Sequence, residues 1–190
     1  MKILTLLGSP RKEGNTSKAL KLFEKLVSES CEVEHINITD YEINGCLGCG
    51  SCKKVMEEPA CVQKDDSLVI FDKMFASDVI VYATPLYFWN FSSQMKTLID
   101  RQYCLTKGQA PKERKSFLNG KHIALLATCG GPDEENADHL KGVFDKVGNY
   151  NQCTIVGKYI VPFSFRPDFE KNTNEVANRM AQDVLNVELR

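Results

Sequence analysis

A doubly wound α/β sandwich, three layers built around a five-stranded parallel sheet, is the fold predicted for this 190-residue chain by three observations. Five short apolar runs rich in β-branched residues recur along the sequence. Longer stretches between them carry apolar residues three or four apart. Three of the five runs are apolar almost without interruption. Short runs of this kind form strands, whereas the three-to-four spacing draws one apolar stripe along a helix. Strands alternating with helices pair in parallel, and helices on both faces leave the central strands no polar side.

KILTLLG (2–8) opens the series and is followed by a helix whose stripe is Ala19, Leu22, Phe23 and Leu26. CEVEHINI (31–38), the second strand, carries enough polar residues to suit a sheet edge. Residues 40–66 exceed the usual βα connection of about 2–6 residues, so they form an insert of the kind that is usually functional. DVIVYATP (78–85) and HIALLATC (122–129) are the third and fourth strands, both suited to the middle of the sheet. Between them, TKGQAPKERKSFLNGK (106–121) is charged and polar and reads as a solvated loop, with a partner surface as the alternative. Leu140, Val143, Phe144 and Val147 stripe the next helix. QCTIVGKYIV (152–161) is the fifth strand, again of edge character, and a last helix lies near Asp168 to Val187. No repeat or linker divides the chain, so one domain over 1–190 is expected, with the insert at about 40–66.

Composition narrows the function. With 24 basic and 25 acidic side chains the net charge is −1, which is not the basic face that duplex nucleic acid requires. No apolar run approaches the ~18–20 residues that cross a bilayer. The opening MKILTLLGSP turns polar at Arg11 before any cleavage-site pattern, so a cytoplasmic location is expected. A reducing compartment keeps the eight cysteines from pairing, and their spacing then asks for a ligand or redox explanation.

Ligands of open α/β sheets bind beyond the carboxyl ends of the strands, so the loops there are the candidate site. The first, GSPRKEGNTSKAL, leads from a strand into a helix whose N-terminal amides favour an anion. Ser9, Thr16 and Ser17 add hydroxyls, Asn15 an amide and Arg11 a fixed cation, a set suited to a phosphate monoester. Gly14 is followed by Asn15 and Thr16 and not by a lysine, which excludes a Walker A loop, and GxGxxG is absent. The alternative is an ordinary capped helix with Asn15 or Thr16 as N-cap. After the third strand, TPLYFWNFSSQMKTLIDR crowds Leu86, Tyr87, Phe88 and Trp89 into one loop, where a flat ring would fit. A core or dimer-interface role is the alternative, most of all for Trp89 and Phe91. After the fourth strand, ATCGGP places Gly130 and Gly131 where backbone can approach a ligand closely. Cys129 beside them is either part of the site or an inert small side chain.

These three segments resemble the FMN-binding loops of the NADPH-dependent FMN reductase family, which is flavodoxin-like in fold, over most of the chain. The resemblance implies the sheet order 2-1-3-4-5 and phosphate contacts at Ser9, Arg11, Asn15, Thr16 and Ser17. It further implies isoalloxazine or ribityl contacts at Pro85, Leu86, Tyr87, Phe88, Trp89 and Asn90, and at Thr128, Cys129, Gly130 and Gly131. Family members often have a small residue shortly after the tyrosine; Phe88, Trp89 and Asn90 stand here and imply narrower access to the ring. An FMN-dependent oxidoreductase follows, with NAD(P)H or a redox protein as donor, a small-molecule acceptor, and a homodimer or homotetramer as assembly. No catalytic acid or base is assigned, because hydride transfer to a flavin asks the protein for orientation and electrostatic tuning.

The insert GCLGCGSCKKVMEEPACVQKDD resembles the cysteine motif of the iron-sulfur flavoproteins, a branch of that family carrying a [4Fe-4S] cluster beside FMN. Cys46, Cys49 and Cys52 at i, i+3 and i+6 can wrap a cubane corner. Cys61 is the candidate fourth ligand, across a longer gap than that branch normally shows. Zinc fits less well, since His35, His122 and His139 lie far from this run. Without a cluster the insert would be a lid whose thiols pack or cap the site.

Two other functions share the fold. A non-catalytic flavodoxin-like electron carrier is normally strongly acidic, which this chain is not. A signalling receiver needs an acidic pair at the end of the first strand, where Gly8, Ser9 and Pro10 stand. Asp65, Asp66, Asp100 and Asp133 to Glu135 read as helix-start caps and solvated faces.

Overall fold

A computed structural model describes residues 1–108 and 111–188. In chain order it contains β1 (Lys2–Leu7), α1 (Asn15–Val27), β2 (Glu32–Asn37), α2 (Ser67–Phe75), β3 (Val79–Pro85) and α3 (Ser93–Arg101). It continues with β4 (Thr106–Lys107), β5 (Lys115–Ser116), β6 (His122–Thr128), α4 (Asp138–Tyr150), β7 (Thr154–Val161) and α5 (Phe169–Leu185). The five long strands pair in parallel in the order β2-β1-β3-β6-β7, which is the flavodoxin-like order 2-1-3-4-5 when the short β4–β5 pair is set aside. The two more polar runs, β2 and β7, are the edges.

Each central strand is buried on both sides because its alternating side chains feed two cores. Leu4, Leu6, Ile80, Tyr82 and Leu125 pack against α2, α3 and α4 through residues such as Phe71, Leu98 and Phe144. Ile3, Leu7, Val79, Val81 and Leu126 pack against α1 and α5 through Phe23, Ala177 and Met180. Three threonines, Thr5 of β1, Thr84 of β3 and Thr128 of β6, depart from this apolar pattern. Thr5 is fully buried, and its hydroxyl donates to Glu24 Oε1, the same oxygen that meets His35 Nδ1 at 2.6 Å. The hydrogen bond with Glu24 raises the pKa of His35 and ties β2 to α1.

The strand order reverses between β1 and β3, which run parallel, and the register brings their carboxyl ends level. Gly8 N–H donates to Ala83 O at 2.8 Å, Leu86 N–H to Thr128 O at 2.8 Å, and Cys129 N–H to Val161 O at 3.1 Å. The loops that follow β1, β3, β6 and β7 therefore leave one rim together. Segment 106–121 departs from the solvated loop expected of it. Thr106 and Lys107 are buried and pair antiparallel with Ser116 and Lys115, and Leu118 is fully buried. Polar side chains go under here because backbone carbonyls receive them, as for Lys107 Nζ on Cys52 O at 2.9 Å. Residues 109 and 110 of that segment lie outside the described residues. Among the described residues no helix is long and apolar enough to cross a membrane.

Candidate functional site

The first loop leaves β1 through Gly8, where a Cβ would sit 2.6 Å from Met95 Cβ, so only glycine lets the chain pass α3. Ser9 Oγ accepts from Arg11 N at 3.1 Å and lies 3.2 Å from Arg11 O, to which Gly14 N–H also donates. Helix α1 then starts at Asn15 with extended Gly14 as N-cap and no side-chain cap. The expectation of Asn15 or Thr16 as N-cap is thereby corrected, for both side chains are engaged elsewhere. Asn15 Nδ2 donates to Ser164 O at 2.7 Å, and Thr16 Oγ1 shares a 2.7 Å bond with Thr128 Oγ1. No acidic residue occupies the first turn, and Ser17 Oγ is buried there without a hydrogen-bond partner. An uncapped helix end, an orphaned hydroxyl and the exposed cation of Arg11 fit a small anion.

The second loop is a tight turn in a strained conformation. Tyr87 and Asn90 exchange N–H···O bonds of 3.1 and 3.0 Å, while Phe88 and Trp89 between them hold φ of 45° and 59°. Two successive left-handed residues make a type I′ turn, which normally selects Asn and Gly and costs other residues roughly 1–2 kcal/mol each. The aromatic pair at its tip is also exposed, Phe88 at 93% and Trp89 at 53%, with their rings edge to face at 6.0 Å. Strain combined with exposure marks a surface kept for a ligand or partner rather than for packing. Phe91 by contrast is buried and belongs to the core. Behind the turn, Ser92 caps α3 by accepting from Met95 N, and its own N–H donates to Thr84 Oγ1.

In the third loop a Cβ on Gly130 would lie 2.9 Å from the ring of Phe165, and Phe163 N–H donates to Gly131 O. The Cys129 thiol is buried and donates to Gly131 O, and burial pushes its pKa up to about 11, which leaves it a neutral, unreactive group at pH 7. Residues after β7 complete the rim. Ser164 N–H donates to Cys129 O, and Phe165 projects at 84% exposure beside Gly130. Neither was among the sequence-predicted residues, although the rule that picks out loops at strand ends applies equally to FSFRPDF after the fifth strand.

Two adjoining cavities open between these loops. One, of about 250 Å³, is walled by Ser9, Arg11, Asn15, Thr16, Pro85, Tyr87 and Thr128, with Gly14, Ser164 and Phe165 as additions to the expected set. The other, of about 260 Å³, lies under Phe88 and Trp89 against Gly131 and Asn136. Leu86, Cys129 and Gly130 border both. Of the fifteen expected residues only Ser17 and Asn90 line neither: Ser17 lies buried in the first turn of α1, and Asn90 closes the aromatic turn while its Oδ1 accepts from Phe91 N. No residue of the insert lines either cavity, so its reading as a lid over these loops finds no contact.

The insert instead packs on the far end of α3. Gly48 and Gly50 take φ of 63° and 67° and fold it back on itself, so that Cys46, Cys49, Cys52 and Cys61 line one small pocket with Arg101 and Cys104. Arg101 is buried and donates to Cys61 Sγ at 3.3 Å, to Asn44 O and Ser67 Oγ at 2.8 Å, and to both oxygens of Asp65. Burial opposes ionisation of Asp65, but the guanidinium and the amides of Asn44 and Ser67 outweigh it and hold the carboxyl well below its usual range. Asp65 does accept from Ser67 N at the start of α2, at 3.1 Å, and to that expected role it adds the buried ion pair with Arg101. Burial pushes Cys104 up to about 11, whereas the Ser51 hydroxyl lowers the pKa of exposed Cys49. All eight cysteines are free, and among the described residues no three ligand-type side chains already stand in metal-binding geometry. Four thiols around one pocket and a cation donating to one of them nonetheless fit a thiolate-held centre in their chemistry.

A larger groove of about 720 Å³ runs between α3, α4 and the insert, beside the stacked rings of Tyr103 and Tyr150 at 6.4 Å. It lacks the convergent strand-end loops.

The profile of the NADPH-dependent FMN reductase family matches residues 1–167. The chain is 33% identical to an iron-sulfur flavoprotein of Archaeoglobus fulgidus, over 96% of this chain and 80% of that one. It is 28% identical to the FMN-dependent NADH:quinone oxidoreductase of Rhizobium leguminosarum over 96% and 97% of the two chains. Among solved structures, the NAD(P)H:quinone oxidoreductase of Methanothermobacter marburgensis superposes with a TM-score of 0.75 at 15% identity, covering 97% of this chain and 98% of that one.

Proposed function

The chain belongs to the NADPH-dependent FMN reductase family and is an FMN-dependent oxidoreductase, and from that premise we propose that NAD(P)H reduces it and that its cysteine insert carries a [4Fe-4S] cluster. The observation that carries the reading is the two-lobed cavity, cationic and uncapped at one end and aromatic at the other. The FMN phosphate fits the lobe of Arg11, Ser9 and the uncapped α1 amides. The isoalloxazine fits the lobe under Phe88 and Trp89, beside Gly130. FMN supplies transfer of one or two electrons at that ring.

The chain's own task is placement. Asn15 and Thr16 fasten the phosphate loop to the loops after β7 and β6, so the two ends of the ligand are held by one connected frame. Phe88 and Trp89 border an open apolar mouth, and either ring face offers a surface against which a nicotinamide or a quinone-like acceptor can lie and exclude water. No acidic or basic side chain is needed for a hydride to pass between two stacked rings.

Cys46, Cys49, Cys52 and Cys61 are the ligands we assign to the cluster. Their shared pocket and the name of the Archaeoglobus relative support this assignment. Helix α3 begins at Ser93, just past the aromatic turn, and ends at Arg101 on the cysteine pocket. At 1.5 Å per residue that is about 12 Å of helix, short enough for the two centres to serve one electron path.

Anoxic protein reconstituted with FMN, iron and sulfide tests both assignments by absorbance. NADPH or NADH alone is expected to bleach the flavin band. Wild-type protein is expected to hold acid-labile sulfide that Cys49→Ser loses while keeping FMN. A flavin that neither nicotinamide reduces would leave an electron carrier instead, and protein without iron or sulfide would remove the cluster.

A further inference from the structure

The cysteine pocket is bordered by more positive charge than its own carboxylates offset. Arg101 is matched by Asp65. Lys107 is buried, with Nζ on Cys52 O at 2.9 Å and 5.8 Å from the Phe117 ring centroid. Lys53 Nζ donates to Tyr103 O at 2.7 Å and to the carbonyl and hydroxyl of Thr106, and stands 3.7 Å over the Tyr103 ring. Both ammonium groups meet carbonyls and aromatic faces, and Lys53 a hydroxyl as well; Glu58 acts on Lys107 only through space. Both lysine charges act on Cys52, and that of Lys107 acts on Cys104 as well. One buried and one half-buried cation beside a group of thiols are costly unless something anionic forms there.

We propose that Lys53 and Lys107 form a cationic cradle for the cysteine-held centre and set its reduction potential. The inference rests on the cluster assignment above. Four thiolates around an oxidised cubane core leave two net negative charges, which two lysines match. A single electron taken from a reductant such as dithionite makes the centre more negative still, so the cradle favours the reduced form and raises the potential. Lys53 and Lys107 touch no reacting atom and act through charge alone.

The test is an anoxic dithionite titration of the full chain, reconstituted with FMN, iron and sulfide, with the reduced cluster followed by electron paramagnetic resonance. Lys107→Met is expected to load iron and sulfide as the wild type does. Its reduced-to-oxidised ratio at fixed potential should fall about tenfold, equivalent to about 59 mV for a one-electron couple. The flavin midpoint, read in the same titration, should not move, and Lys107→Arg should keep the wild-type cluster value. Loaded Lys107→Met with an unchanged cluster midpoint overturns the cradle alone, and so does Lys107→Arg shifting as far as Lys107→Met. If Lys107→Met does not load, half-exposed Lys53→Met decides, a downward shift supporting the cradle and an unchanged midpoint overturning it. Wild-type protein that binds neither iron nor sulfide overturns the cluster assignment itself, and the cradle with it.

Discussion

Replacing Asp65 with alanine is expected to destabilise the chain by about 3–5 kcal/mol, because it strands a buried guanidinium. Both side chains are almost fully removed from water, and Asp65 is the carboxylate that meets Arg101. In the cluster-free chain Arg101 would keep Asn44 O, Ser67 Oγ and the Cys61 thiol, which are dipoles and cannot replace a full negative charge. The damage should spread, since the same guanidinium joins α3 to α2 and to both ends of the insert. Urea unfolding reads this directly, and a loss under about 1 kcal/mol would show that the pocket admits water and screens the charge. The pH dependence has a definite sign. Asp65 has a depressed pKa in the folded state, so its contribution is complete above the ordinary carboxylate value of about 3.9 and is lost as pH falls toward the folded value. The gap between wild type and Asp65→Ala should therefore narrow only in acid.

Arg11→Ala is expected to weaken FMN binding by roughly 10- to 100-fold, the equivalent of about 1.5–3 kcal/mol for a hydrogen bond to a charged group. Arg11 is exposed, and solvent screening places the effect toward the lower end of that range. Riboflavin has no phosphate, so its affinity should be unchanged by the same substitution. Quenching of flavin fluorescence on titration measures both. An equal loss for the two ligands would mean that Arg11 shapes the loop and does not meet the phosphate.

The sheet was legible because two-sided burial leaves a direct mark: a strand such as Val79–Pro85 has no polar face to interrupt its apolar run. The site was legible for a related reason. Phe88 and Trp89 at the end of a buried strand break the rule that loops are polar, and their left-handed backbone shows that they hold this position against local preference. What sequence concealed is long-range pairing. Asp65 and Arg101 lie 36 residues apart, and nothing local distinguishes an aspartate that will meet a buried guanidinium from one that caps a helix. Lys107 is similar, since a charged residue in a polar stretch reads as solvated until the carbonyl that receives it is known. Gly14 misled in the opposite way: a hydroxyl or amide next to it looked like a cap, but Asn15 and Thr16 turn to partners more than a hundred residues away. Phe165 follows an edge strand whose partly polar run does not mark the loop beyond it as the buried central strands mark theirs.

The loops after β1, β3 and β6 are assigned to one phosphorylated flavin. Calorimetric titration of the flavin-free chain with FMN, and separately with riboflavin, tests this assignment most directly. One flavin per chain is expected, with FMN bound at least about tenfold more tightly than riboflavin, as a charged contact to the phosphate requires. Equal affinities would contradict the phosphate assignment, and no heat with either ligand would contradict the site.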